Sequence, residues 1–155
     1  MDNSSIDISR PLKEAKTALM SQGYICNVSV EDFEGWFKAD MEQPDMGMDA
    51  VLKNPLLVVH EIVEINEVKK MGVTIAKDTI IGNPEKVDEA HIIAAEMELD
   101  FAMARRDYAH IKQRIGDFKA WCEDKRIAER LKDRYRRHYE RALAYISRAE
   151  KHSLV

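Results

Sequence analysis

The chain predicts an all-α fold, a helical bundle of about five helices with a long C-terminal helix. Three observations carry this. Asn54-Pro55 and Asn83-Pro84 each set a capping residue before a proline, whose missing N–H costs nothing in a first helical turn. Gly23, Gly72 and Gly116 each follow a helical pattern, in the place where helices stop. Near the C-terminus, Ala128, Leu131, Tyr135, His138, Ala142, Tyr145 and Ala149 recur at spacings of three and four, a coiled-coil-like seam.

The elements follow in order. Residues 1–8 read as a flexible tail and 9–155 as a single helical domain. Pro11 suits a first turn and Gly23 a stop, giving a helix over 11–22. Ser29-Val30-Glu31-Asp32 resembles an N-cap with acidic residues in the first turn, opening a helix with Phe33, Trp36 and Phe37 on one side. Residues 41–47 read as a loop. A third helix runs from Pro55 to Met71. Residues 73–82 are β-branched and apolar, and fit either a short extended pair or a packed loop. A fourth helix runs from Pro84 to Ile115, with Ile93, Met97, Phe101, Ala104, Tyr108 and Ile111 as its apolar face. The fifth covers 117–151 and would span roughly 50 Å. A helix of that length outgrows a small bundle, so its end is expected to pair with a second subunit.

Composition narrows the class. Of 155 residues 45% are hydrophobic, which suits a globular domain and argues against disorder. No apolar run approaches the roughly 20 residues of a membrane span. The first residues are polar and acidic where a secretion signal needs a basic start and an apolar block, so the expected location is cytoplasmic. Cys26 and Cys122 lie far apart and are expected to be reduced thiols. The net charge of −4 hides a division. Residues 1–100 carry 20 acidic and 9 basic side chains, and residues 101–155 carry 8 and 15. Such a division can mark a nucleic-acid surface. Because the basic residues alternate with Glu and Asp along a helix, the two halves are instead expected to pack together and complement each other electrostatically. The Arg-rich face of the last helix is expected to be solvated and salt-bridged, and nucleic-acid binding ranks third among the expected functions.

The chemistry-bearing stretch is Leu56-Leu57-Val58-Val59-His60-Glu61-Ile62-Val63-Glu64-Ile65. It sets an imidazole and a carboxylate four residues apart within an apolar run. A buried ionised carboxylate needs a partner or changes its pKa. On a helix, His60, Glu64, Glu67 and Met71 share one sector, while Asn66, Lys69 and Lys70 project elsewhere toward water. Ligands at i and i+4 can chelate one ion. With Glu64 in place of a second histidine, the expected cofactor is a divalent metal ion: manganese, iron, magnesium or zinc. The next helix offers His91, Glu98 and Arg105 at spacings of seven, while Glu96 should be solvated. The expected metal ligands are His60, Glu64, His91 and His138. Glu61 or Glu98 would act as general base, and Arg105 would contact phosphate. Two plainer alternatives stand beside this: His138 as a hydrogen-bonded core residue, and His60 with Glu64 as an ordinary buried ion pair.

Over those ten residues the chain resembles the His-Asp helix of the HD phosphohydrolases, with Glu61 where that family has Asp. The pair Glu61-x-x-Glu64, followed by Glu96-x-Glu98-x-Asp100, is also similar to the carboxylate motifs of all-α nucleotide pyrophosphatases of the MazG type. Those hold magnesium through ExxE and ExxD, and the second motif here is spaced differently. Either resemblance implies metal-assisted hydrolysis of a phosphorylated small molecule. The competing expectation is a non-catalytic interaction protein that homodimerises through its last helix.

Overall fold

The computed structural model describes residues 7–42 and 46–153. All regular structure among them is helical, in eight segments. These are α1 (Ser9–Ser21), α2 (Val30–Lys38), α3 (Met48–Leu52), α4 (Pro55–Lys70), α5 (Thr79–Gly82), α6 (Pro84–Ala104), α7 (Tyr108–Glu123) and α8 (Glu129–Ser153). The expected tail lies outside the described residues, apart from Asp7 and Ile8, and so does part of the expected loop at 43–45. The chain forms two compact units, residues 1–94 and 95–155, and the boundary falls within α6.

The all-α class holds, but the count of about five helices does not. Two added segments, α3 and α5, are too short to leave a periodic signature. The third comes from a break in the expected helix over 84–115. That helix stops at Ala104, and the Asp107 side chain caps α7 by accepting from the His110 N–H at 3.1 Å. The break is a Schellman turn. The Asp107 N–H reaches the Ala102 carbonyl, and Arg106 takes a left-handed φ of 55°. The same turn ends α1 at Gly23 (φ 80°) and α4 at Gly72 (φ 85°), where glycine adopts the conformation without strain. An arginine in that position carries no sequence signal. Gly116, the expected stop, lies inside α7, and the last helix therefore starts at Glu129 rather than 117.

In the first unit, α1, α2 and α3 pack on α4. α4 is apolar around most of its circumference and is buried accordingly: every residue from Val58 to Val68 is inside. Asn54 caps it by accepting from the Leu56 N–H at 3.0 Å. α2 opens on a reciprocal capping box between Ser29 and Asp32. Residues 73–82 form a largely exposed loop ending in α5, with Thr79 buried, and not an extended pair. The Thr79 hydroxyl donates to the Thr74 carbonyl and accepts from the Ala76 N–H, so the turn's polar groups are met locally.

In the second unit, α7 and α8 pack together. Leu131, Tyr135, Ala142 and Ile146 of α8 are buried, with Phe118 and Ile111 of α7. The expected seam is kept at Leu131, Tyr135 and Ala142, whereas Ala128 is exposed. On α6 the buried face is Ile92, Ala95, Leu99 and Ala102, not the expected one. Only Phe101 of that set is buried on α6, and Ile93 and Met97 are partly exposed. Glu98 shares the buried face, so a carboxylate there disguised the true core side.

Candidate metal centre

α4 sets His60 and Glu64 one turn apart, with Nε2 3.2 Å from Oε2 and both side chains more than nine-tenths buried. α6 brings His91 against them. The His60 and His91 ring centroids are 4.9 Å apart and their planes meet at 66°. The three side chains offer one ligand atom each, all within 4.8 Å of one another. Ligands around a first-row ion lie about 2.0–2.2 Å from the metal, so pairs of them sit about 3–3.5 Å apart. A side-chain adjustment of about 1 Å would close the cluster on an ion. His91 is partly exposed, which leaves one side of the centre near solvent.

Other polar groups on α4 have their own partners. Glu61 is buried and accepts from the Trp36 indole N–H at 3.0 Å. Glu67 accepts from the Tyr24 hydroxyl at 2.7 Å and from Lys70 at 3.1 Å. Burial pushes the Tyr24 phenol well above its ordinary value; the hydrogen bond from Asn66 pulls the other way, while Glu67 adds to the rise. Asn66 does not face water as expected. It is buried, accepts from the Asn27 N–H at 2.8 Å, and donates to the Tyr24 hydroxyl and the Ile25 carbonyl. The sequence reasoning missed Tyr24, Trp36 and Asn66. The available signal was the run of Glu61, Glu64 and Glu67 at spacings of three on an apolar helix, which requires a partner for each.

The remaining expected site residues belong to the second unit. Glu98, 1% exposed, accepts from Arg114 through both oxygens, at 2.6 and 2.7 Å, and contacts His110 Nε2. Burial alone would lower the Arg114 pKa, but the hydrogen bonds and charge of Glu98 hold it above its ordinary value. His138 Nε2 lies 2.8 Å from Glu96. Glu96 is half-buried rather than solvated, because Arg134 also donates to it, at 2.6 Å. Burial works to raise the Glu96 carboxyl, and His138 with Arg134 together bring it below the ordinary 4.5. Arg105 is exposed, with its guanidinium 5.5 Å from the Phe101 ring centroid.

His60, Glu64 and His91 thus come together as expected from sequence, while Glu98 and His138 sit in charged networks of the second unit. Comparison with protein-family models, curated proteins and solved structures finds no match for the chain.

Proposed function

We propose that this protein binds one divalent first-row metal ion through His60, Glu64 and His91. The single observation that supports it most is the convergence of two imidazoles and one carboxylate from two helices in a largely desolvated setting. Two nitrogens and one oxygen suit zinc, iron or manganese better than magnesium, which favours all-oxygen shells and retains its waters. Three protein ligands leave room for water. An ion held by these residues would supply a nucleophilic water at neutral pH, and hydrolysis of a phosphorylated small molecule is the reaction class that would fit. Glu61 is the nearest carboxylate in sequence for proton transfer, and the Trp36 indole fixes its position. Glu98 is left out of this scheme because Arg114 and His110 already engage it.

Calorimetric titration of chelator-stripped protein with zinc, manganese and magnesium tests the binding. The expected outcome is saturation at one ion per chain for zinc or manganese, at least about tenfold tighter than magnesium. His60→Ala and Glu64→Ala should each weaken it by more than the 10–100-fold typical of losing an outer hydrogen bond to a ligand. Equal binding by the variants and the parent protein would leave His60 and Glu64 as a buried structural pair. Release of phosphate from nucleotides or sugar phosphates by the metal-loaded protein, lost in both variants, tests the hydrolytic step separately.

A further inference from the structure

A second feature, independent of the metal centre, lies at the α6–α7 turn. Tyr108 opens α7 and is 40% exposed as a residue. It sits 6.0 Å, centroid to centroid, from Tyr145 of α8, whose hydroxyl donates to the Met103 carbonyl at 2.7 Å. The turn that carries Arg105 and Arg106 is thereby held against the C-terminal half of α8. Both arginines are exposed, and Arg148, also exposed, follows Tyr145 by one helical turn. Arg141 and Lys112 flank the pair, each bound to an acid: Arg141 to Asp100 at 2.9 Å and Lys112 to Glu150 at 3.3 Å. Asp107 is occupied in capping α7. Residues 95–155 as a whole carry fifteen basic and eleven acidic side chains.

We propose that this patch binds single-stranded nucleic acid, with a base stacked on Tyr108 and backbone phosphates on Arg105, Arg106 and Arg148. An exposed aromatic ring on a surface that also carries exposed arginines suits such ligands: stacking accepts any base, and the guanidinium fork matches phosphate. Arg106 supplies a further argument. It holds a backbone conformation that glycine takes freely at the equivalent turns after α1 and α4, so the cation is kept there against local strain. From sequence a nucleic-acid partner ranks third, and the Tyr108–Tyr145 pairing that favours it here arises only through the break after Ala104.

Fluorescence anisotropy with labelled 20-nucleotide RNA and DNA single strands, at 50 and 200 mM salt, tests the proposal. Binding is expected at 50 mM and should weaken steeply at 200 mM. Tyr108→Ala should reduce affinity by about 5-fold or more, and Tyr108→Phe, which keeps the ring, should restore it. Arg136→Ala serves as a control, since Arg136 is exposed on α8 and paired with Asp133; it should bind as the parent protein does. Arg106→Gly should move two readouts in opposite directions: a melting temperature higher by about 2–4 °C and a weaker complex. No binding at 50 mM would overturn the proposal. So would equal losses in Tyr108→Ala and Arg136→Ala, or heparin binding as tightly as the oligonucleotides and insensitive to Tyr108→Ala, which would indicate a charge effect alone.

Discussion

The imidazoles of His60 and His91 meet edge to face, 4.9 Å between centroids, across the α4–α6 contact. Such packing is favourable for any aromatic pair, so the contact by itself does not require an ion. Glu64, 3.2 Å from His60, adds the carboxylate that would complete the proposed set of three ligands. His91→Phe separates the two roles. It keeps a ring at the contact and removes the nitrogen. The metal-free variant is expected to lie within about 1.5 kcal/mol of the parent in urea denaturation, as near-isosteric swaps do. Its stabilisation by added zinc should be absent. A variant that still gains stability from zinc as the parent does would remove His91 from the centre.

Glu98 and Arg114 form a largely desolvated ion pair in the second unit, with side chains 1% and 18% exposed. Removing Glu98 leaves the guanidinium largely buried, with Asp117 at 3.0 Å still beside it. Glu98→Ala should cost about 3 kcal/mol, the low end for breaking a buried pair, read as a lower denaturant midpoint. A loss below about 1 kcal/mol would mean that Arg114 swings out to solvent.

Glu96 gives a pH signature whose sign is fixed. Its folded-state carboxyl lies below the ordinary 4.5, so protonation favours the unfolded chain. The stabilisation is complete above the unfolded value and is lost as pH falls through the lowered folded one. Glu96→Gln should therefore cost about 1 kcal/mol near neutral pH, a modest figure because the group is partly screened by water. The difference from the parent should shrink as pH drops below about 4.5. A difference that stays constant down to pH 3 would contradict the pairing with Arg134 and His138.

Tyr24 links the loop after α1 to α4 by donating to Glu67 and accepting from Asn66. Tyr24→Phe should lower stability by about 1–2 kcal/mol, because Asn66 and Glu67 both lose a partner in a partly buried site. Thermal denaturation measures this, and an unchanged midpoint would show that water replaces the hydroxyl without cost.

Much of the helical content was legible because caps and glycine stops are local signals. Asn54-Pro55, Ser29 with Asp32, and Gly23 and Gly72 mark real ends. The failures have local causes too. Arg106 adopts a glycine-like conformation, so the end of α6 was invisible, and Gly116 was tolerated inside α7 for about 1 kcal/mol. His60 and Glu64 could be joined from helical periodicity alone, and His91 was reached from its place at the margin of an apolar face. Glu98 and His138 could not be told apart from site residues. Their partners, Arg114, His110 and Glu96, are fixed by packing of helices whose boundaries the sequence obscured.

Titration of chelator-stripped protein with cobalt(II), followed by visible ligand-field absorption, probes the proposed metal centre most directly, because the bands report the donor set. One equivalent should saturate the parent protein, with bands of a nitrogen–oxygen site that zinc abolishes by displacement. His60→Ala, Glu64→Ala and His91→Phe should each fail to develop them at the same cobalt concentration. Bands of unchanged intensity in all three variants, or none in the parent at millimolar cobalt, would contradict a metal site at these residues.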